Sequence, residues 1–394
     1  MYPRRGSSSE EETSIDRNRA AIFHDYFSIK GGGERVALSI ANDLGYHLYY
    51  GYLTSSTYSL QAFPDNSHSL NLHPLVQRRG LRPLTLSYLF RRARRIASQY
   101  ELRIYSGVAA PFAAPPLGSS GLNVFYCHTP PRFLYDQKAH FLNLLPNPLR
   151  WIAPWILRRF EKGYIDAINN MDIIIANSEN TKIRLREYIG VDSRVVYPPV
   201  DTERFKWQGQ GDYYVSTARL SPLKRVDRII DAFSAMPEKK LIVVSGGEEL
   251  DRLRSRAKNF SNIDVLGWVT ESALEDIVGN AIATIYIPKD EDFGISPLES
   301  MAAGKPVIGV AEGGLRETII DGETGILLPS SPTSRAIVEA VRSLNSTRAL
   351  QMRRACEQQA QRFQREKFVE AMSGIIQGLQ PKLRRAPSGI HVPD

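Results

Sequence analysis

A chain of 394 residues with 42% hydrophobic content can bury two cores of ordinary size. Two cysteines, Cys127 and Cys356, exclude a disulfide framework, neither is spaced like a metal ligand, and no apolar run reaches the roughly 18 residues of a membrane span. Lys and Arg outnumber Asp and Glu by 50 to 42, a net charge of +8.

The first nineteen residues are polar, charged and aperiodic, which predicts a disordered tail. They lack the apolar core of a signal peptide, so a cytoplasmic protein is expected. An apolar strand over Ala20 to Phe23, the glycines Gly31, Gly32 and Gly33, and the helical stretch ERVALSIANDL form a strand, glycine loop and helix. The spacing is not GxGxxG, which excludes a dinucleotide fingerprint. Gln77 to Arg103 carries eight arginines and one acid, Glu101. Interleaved Leu81, Leu84, Leu86, Tyr88, Leu89 and Phe90 make this an amphipathic basic segment suited to an anionic membrane surface. A solvated helix face would read the same way, and no motif for nucleic acid accompanies the arginines.

Leu122 to Cys127 reads as a buried strand with His128 just past its end, before a Thr-Pro-Pro turn. From Lys138 to Phe160, leucines, Trp151 and Trp155 mix with Arg150, Arg158 and Arg159, which fits either a core helix or a membrane-interface groove. A strand over Met171 to Ser178, a helix near Lys182 to Tyr188 and the Pro198-Pro199 pair follow; the prolines mark a stiff hinge between two lobes. The second lobe restarts with a strand over Tyr213 to Thr217 and a loop bearing Arg219 and Lys224, two cations placed to neutralise a diphosphate at a strand's carboxyl end. Strand and helix alternate onward through the glycine turn Gly246-Gly247.

Ala281 to Ile287 predicts another buried strand, broken at Pro288 by a loop with three consecutive acids, Asp290, Glu291 and Asp292. Ser296 is the expected N-cap of the next helix, with Pro297 at N1, Glu299 at N3 and a stop at Gly304. Helix amides at that position face the ligand side of an open α/β sheet. Glu299 can therefore also be explained as half of a capping box. Glu291 has no such duty in its loop.

EDFGISPLESMAAGKPVI, with Glu291 and Glu299 around a Phe-Gly pair, followed by GGLRETIIDGETGILL with Gly313, Gly314 and Glu317, resembles the signature of the family 4 retaining glycosyltransferases of GT-B fold. The resemblance covers roughly residues 20 to 380. It implies an α/β fold of two facing Rossmann-like domains with the active site in the cleft. The expected division is a tail over 1–19, an acceptor-side domain over 20–198, a nucleotide-sugar domain over 199–365, a helix crossing back over 366–380, and a loose tail over 381–394. By the same resemblance Gly32, Gly33, Arg219, Lys224, Phe293, Gly294, Ile295 and Glu299 bind the donor, and Gly267 to Val269 meets the base. Glu291 holds the sugar hydroxyls, Glu299 those of the ribose, and His128 stands near the anomeric centre.

The turn CHTP with Tyr135 and Asp136 is similar to one subgroup, the bacterial mannosyltransferases that build exopolysaccharide and O-antigen on polyprenyl carriers. It implies GDP-mannose as donor, a polyprenyl-diphosphate-linked oligosaccharide as acceptor, and Arg132, Tyr135 and Asp136 on the acceptor side. No cofactor and no metal are expected, and the place of work is the inner face of the plasma membrane. Three other readings stay open: a UDP-sugar transferase of the same fold, a metal-dependent transferase using Asp290 and Asp292 as a DxD pair, and a sugar- or lipid-binding protein without turnover.

Overall fold

The computed structural model describes residues 17–29, 31–54, 58–71, 82–143 and 147–383. Most of both expected tails, and Arg78 and Arg79, lie outside these. Within them, Arg17–Arg19 form a short 3-10 turn.

The first sheet contains β1 (Ala20–His24), β2 (His47–Tyr50), β3 (Ser67–Ser69), β4 (Leu102–Ser106), β5 (Leu122–Cys127), β6 (Ile173–Ala176) and β7 (Arg194–Val195). Its order is β3-β2-β1-β4-β5-β6-β7 and its pairings are parallel. Strands β1, β4 and β5 are buried on both faces, as a parallel sheet covered by helices requires. The helices are α1 (Gly32–Leu44), α2 (Arg82–Ala97), α3 (Lys138–Asn143), α4 (Asn147–Ile168) and α5 (Glu179–Ile189).

The second sheet contains β8 (Tyr213–Ser216), β9 (Lys240–Val244), β10 (Ile263–Gly267), β11 (Thr284–Ile285), β12 (Val307–Val310) and β13 (Gly325–Leu328), in the order β10-β9-β8-β11-β12-β13, again parallel. Its helices are α6 (Val226–Ser234), α7 (Leu250–Ala257), α8 (Glu271–Asn280), α9 (Ile295–Ala302), α10 (Leu315–Thr318), α11 (Ser334–Ser343) and α12 (Ser346–Gln361). The last helix, α13 (Arg365–Leu383), returns to the first sheet, where Phe368, Met372, Ile376 and Leu379 share a core with Ile22, Val36 and Ile40. In both sheets the strand order reverses beside the first strand, at β1/β4 and at β8/β11. Ligands of doubly wound folds bind outside the strand ends at that point.

Three expectations change here. The strand expected over Ala281 to Ile287 has ladder partners at Thr284 and Ile285 alone, flanked by backbone hydrogen bonds at Ile282, Ala283 and Tyr286, and the whole stretch is buried. Arg103 leaves the basic segment: it lies in β4, fully buried, donating to the carbonyls of Ser120 and Leu122. The apolar side of α2 faces inward, with Leu86 and Phe90 in the core, so its outer face offers Arg91, Arg92, Arg94, Arg95 and Tyr88 instead of leucines.

Helix α4 is packed against the core on one side and carries exposed apolar residues on another. Ala153, Phe160, Tyr164 and Ile168 form a buried stripe. A second apolar stripe points outward, with Trp151 89% exposed, Trp155 67% and Ile152 51%. Helix α2 lies alongside, because the Arg91 guanidinium sits over the Phe112 ring and against Gly163 of α4.

Candidate active site

The acidic loop after β11 is held from below by backbone. Gly314 N–H donates to the Glu291 carbonyl at 2.9 Å, and a Cβ on Gly313, whose φ is +58°, would fall 2.1 Å from that oxygen. Only glycine permits this approach. The loop therefore rests on the Gly-Gly turn, and Glu291 is presented by a fixed backbone. Its carboxylate takes hydrogen bonds from Lys224 Nζ and from Tyr286 Oη at 2.9 Å, and Tyr286 also meets Lys224 at 2.9 Å. Burial pushes the Glu291 carboxyl up, but the ammonium wins and holds it below the usual range. Burial pulls the lysine down, and the Glu291 charge more than restores it. Arg219 is exposed in the same mouth and has no ion-pair partner among the described residues. Its charge reaches Glu34, at the start of α1 in the first domain.

The helix after the loop starts differently from the expectation. Gly294, at φ +93°, is its N-cap, and Ser296 lies inside the first turn with no capping bond. Glu299 consequently has no capping-box partner. Its carboxylate crosses the cleft to the Arg35 guanidinium on α1. Ile295 reaches across too: a Cβ on Gly32 would stand 2.7 Å from its Cδ1. Gly33 touches the His128 ring, with a Cβ position 3.3 Å from Cδ2. The structure thus brings Gly32, Gly33, His128, Ile295, Glu299, Glu291, Lys224 and Arg219 to facing strand ends of the two sheets.

Phe293 does not join them as a side chain. Its ring is buried between Tyr197 and Phe363, at 5.5 and 5.6 Å, and anchors the loop to the hinge. The residues expected on the acceptor side are also engaged elsewhere. Arg132 donates to the Asp290 carbonyl at 3.0 Å and to Asp136 at 2.9 Å, and Asp136 accepts from Arg184 at 2.7 Å. Arg184 in turn pairs with Asp292. Tyr135 stacks on Tyr188 of α5 at 4.7 Å. Arg132, Asp136, Arg184 and Asp292 are a charge network joining the domains, with Arg184 buried at its centre, so their first duty is to hold the cleft.

Glu317 completes that join. Its two oxygens accept from the backbone N–H groups of Glu179 (2.8 Å) and Asn180 (2.9 Å), so a side chain of the second domain caps α5 of the first. Sequence reasoning did not find Arg35, Ser106 or Arg184. None lies in a local motif, and their partners are far away in the chain.

Two family models match in tandem: Glycosyltransferase Family 4 over residues 30–204 and Glycosyl transferases group 1 over residues 200–363. Two facing parallel-sheet domains, with Arg219 and Lys224 at the strand ends of one and a glycine loop on the other, carry the two matches, which together take in residues 30–363; the chain is a glycosyltransferase of GT-B fold. Among its relatives is the alpha-1,3/1,6-mannosyltransferase ALG2 of Dictyostelium discoideum, 24% identical over 61% of this chain and 66% of that one. Another is the GDP-mannose-dependent alpha-(1-6)-phosphatidylinositol monomannoside mannosyltransferase of Mycobacterium tuberculosis, 27% identical over 64% and 69%. The chain spans about half to two thirds of the length of most of the curated relatives it matches. A solved sucrose-phosphate synthase from Thermosynechococcus elongatus shares the fold, with a TM-score of 0.73 at 17% identity over 92% of this chain and 100% of that one.

Proposed function

We propose that the protein transfers mannose, with retention, from GDP-mannose to a polyprenyl-diphosphate-linked oligosaccharide in bacterial exopolysaccharide assembly, working at the inner face of the plasma membrane. The observation that carries the reading is the Lys224–Glu291 pair beside Arg219, facing Gly32, Gly33 and His128 across the cleft. Glycosyl transfer passes through an oxocarbenium-like state and releases a diphosphate. Arg219 and Lys224 supply positive charge where the diphosphate charge develops, and the glycines let backbone approach it. Glu291, kept ionised by Lys224, accepts hydrogen bonds from sugar hydroxyls. Glu299 is the ribose ligand once Arg35 yields or shares it. The printed names of the two relatives above, both mannosyltransferases and one GDP-mannose-dependent, support mannose as the sugar.

Transfer assays with radiolabelled GDP-mannose, UDP-glucose and UDP-galactose on lipid-linked acceptors test the donor. Incorporation from GDP-mannose alone is expected, whereas incorporation only from a uridine donor selects the UDP-sugar reading. Turnover should be unchanged in EDTA. The Asp292 carboxylate pairs with Arg184 and that of Asp290 lies 3.5 Å from Arg132, so each already faces a cation. Loss of activity on chelation, restored by a divalent cation, would reinstate the metal-dependent reading.

The membrane partner follows from the outer face of α2 and α4. Among the described residues no helix is long and apolar enough to cross a membrane. Trp151, Ile152 and Trp155 stand exposed on α4, Arg158 and Arg159 continue the same face, and α2 adds Arg91, Arg92 and Arg95 beside it. Tryptophan favours the headgroup boundary and arginines are drawn to anionic lipid. Sedimentation with phosphatidylglycerol vesicles should fall about tenfold or more in a Trp151→Ser, Trp155→Ser double variant. Equal binding by that variant, or equal binding to phosphatidylcholine alone, would refute this surface.

A further inference from the structure

The hydroxyl of Ser106 bridges two imidazoles. His24 and Ser106 are register partners at the ends of β1 and β4, and His128 lies just past the end of the neighbouring β5. Ser106 Oγ is 3.0 Å from His24 Nδ1 and 2.7 Å from His128 Nε2. The bridge is firmly supported. Ser106 is completely buried and His24 is 5% exposed. The loop after Ser106 is tied to Asp25, whose carboxylate accepts the backbone N–H groups of Val108 (2.8 Å), Ala109 (2.9 Å) and Ala110 (2.7 Å). Gly107, at φ +113°, leaves no room for a Cβ, which would fall 2.5 Å from the Asp25 carboxyl carbon.

A hydroxyl carries one proton, so Ser106 can donate to one of these ring nitrogens and must accept an N–H from the other. Burial holds both rings neutral, lowering His24 to about 3 and His128 to about 4. A neutral imidazole bears one N–H. If His24 donates from Nδ1, His128 accepts at Nε2 and carries its proton on Nδ1. If His24 accepts, the His128 proton is on Nε2 and Nδ1 is a bare acceptor. The two tautomers are therefore coupled, both rings protonated on Nδ1 or both on Nε2, and the state of His128 Nδ1, the nitrogen that Ser106 does not touch, is set by a residue outside the cleft.

We propose that Ser106 and His24 are positioning residues that lock His128 in a single tautomer, so that its Nδ1 meets the donor sugar as a fixed hydrogen-bonding partner. The site gains a group whose donor or acceptor character needs no rearrangement when substrate arrives. This rests on the reading of His128 as a group lining the sugar site.

The test is two-bond nitrogen–proton spectroscopy of the imidazoles, with the seven histidines labelled and His24 and His128 assigned by substitution. In the parent protein each ring should show one tautomer, and the two should be the same, both Nδ1–H or both Nε2–H, because the bridge uses Nδ1 of His24 and Nε2 of His128. Ser106→Ala should leave His128 as a tautomer mixture and lower kcat about tenfold with the donor KM little changed. Ser106→Thr, which keeps the hydroxyl, should restore both. His24→Phe probes the bridge from the other end and should also release His128, which covers the case in which Ser106→Ala fails to fold. An unchanged single tautomer of His128 in Ser106→Ala or in His24→Phe overturns the proposal, and so do opposite tautomers in the two parent rings. Full turnover by His128→Gln overturns the sugar-site reading instead, and the spectra tell the two failures apart.

Discussion

Glu291→Gln should lower kcat/KM for glycosyl transfer by about 100- to 1,000-fold, the scale on which removing one preorganised electrostatic partner from a reacting centre is felt. The substitution keeps shape and removes charge. Two effects combine. The sugar loses a charged acceptor, and Lys224, whose Nζ rests between Glu291 and Tyr286, is released to point elsewhere. Glu291→Ala goes further. It leaves a largely buried ammonium facing a phenol alone, and breaking such a pair costs about 3–5 kcal/mol when the remaining charge is enclosed. The side chains of Lys224 and Glu291 are 23% and 18% exposed, so the lower end of that range is expected. Thermal unfolding and transfer rates measured together separate the effects: Glu291→Gln should lose activity with little loss of melting temperature, whereas Glu291→Ala loses both. Full turnover in both variants would remove Glu291 from the site. A Lys224→Met, Glu291→Gln double variant should lose clearly less than the product of the single losses, because the two groups act as a unit.

Arg184→Met has the largest expected effect on stability. Arg184 is 8% exposed and pairs with Asp136 of the first domain and Asp292 of the second, with no other cation beside Asp292 except Arg132. Removing it leaves Asp292, 20% exposed, without its ion-pair partner while Asp136 keeps Arg132, so a loss toward the lower end of about 3–5 kcal/mol is expected. The loss should depend on pH with a definite sign. Burial already raises Asp292 from its ordinary value to about 6, despite the attraction of Arg184. A carboxyl with a raised folded-state pKa contributes its full share of stability below the unfolded value near pH 4, and that share fades as pH rises through about 6. Without Arg184 the Asp292 pKa moves higher still. The variant should therefore be less impaired at pH 5 than at pH 8, and adding Asp292→Asn should recover more than half of the lost melting temperature at pH 8. A penalty independent of pH, or no recovery in the double variant, would show that Arg184 acts through packing alone.

Much of this arrangement is legible along the chain. Strand ends at Phe23, Cys127 and Thr217 and glycine or basic loops just after them are local facts, fixed by apolar runs and turn chemistry, and the second strand is found residue for residue. Glu291 stands out because it lies between a strand and a helix in a loop where no backbone duty explains a carboxylate. The start of α9 departs from the local expectation for an equally physical reason. Ser-Pro-x-Glu is a sound local cap, but Phe293 is anchored in the hinge and Gly313 and Gly314 fix the backbone of residues 291–293, so the chain turns at Gly294 before Ser296 can cap anything.

By itself, then, the sequence determined two parallel α/β units, the loops at their strand ends and the residue types available there, because these depend on patterns within a few residues. Only the tertiary structure decided the partners. Arg35 meets Glu299 from 264 positions away and Arg184 meets Asp292 from 108, and no periodicity encodes contacts that arise when two separately folded sheets are brought face to face. The same holds for α4, where two apolar stripes look alike in sequence and packing alone decides that Phe160 and Tyr164 turn inward while Trp151 and Trp155 turn out. It holds most of all for Ser106, an unremarkable residue at the end of a strand until parallel pairing of β1, β4 and β5 sets its one hydroxyl between two histidines.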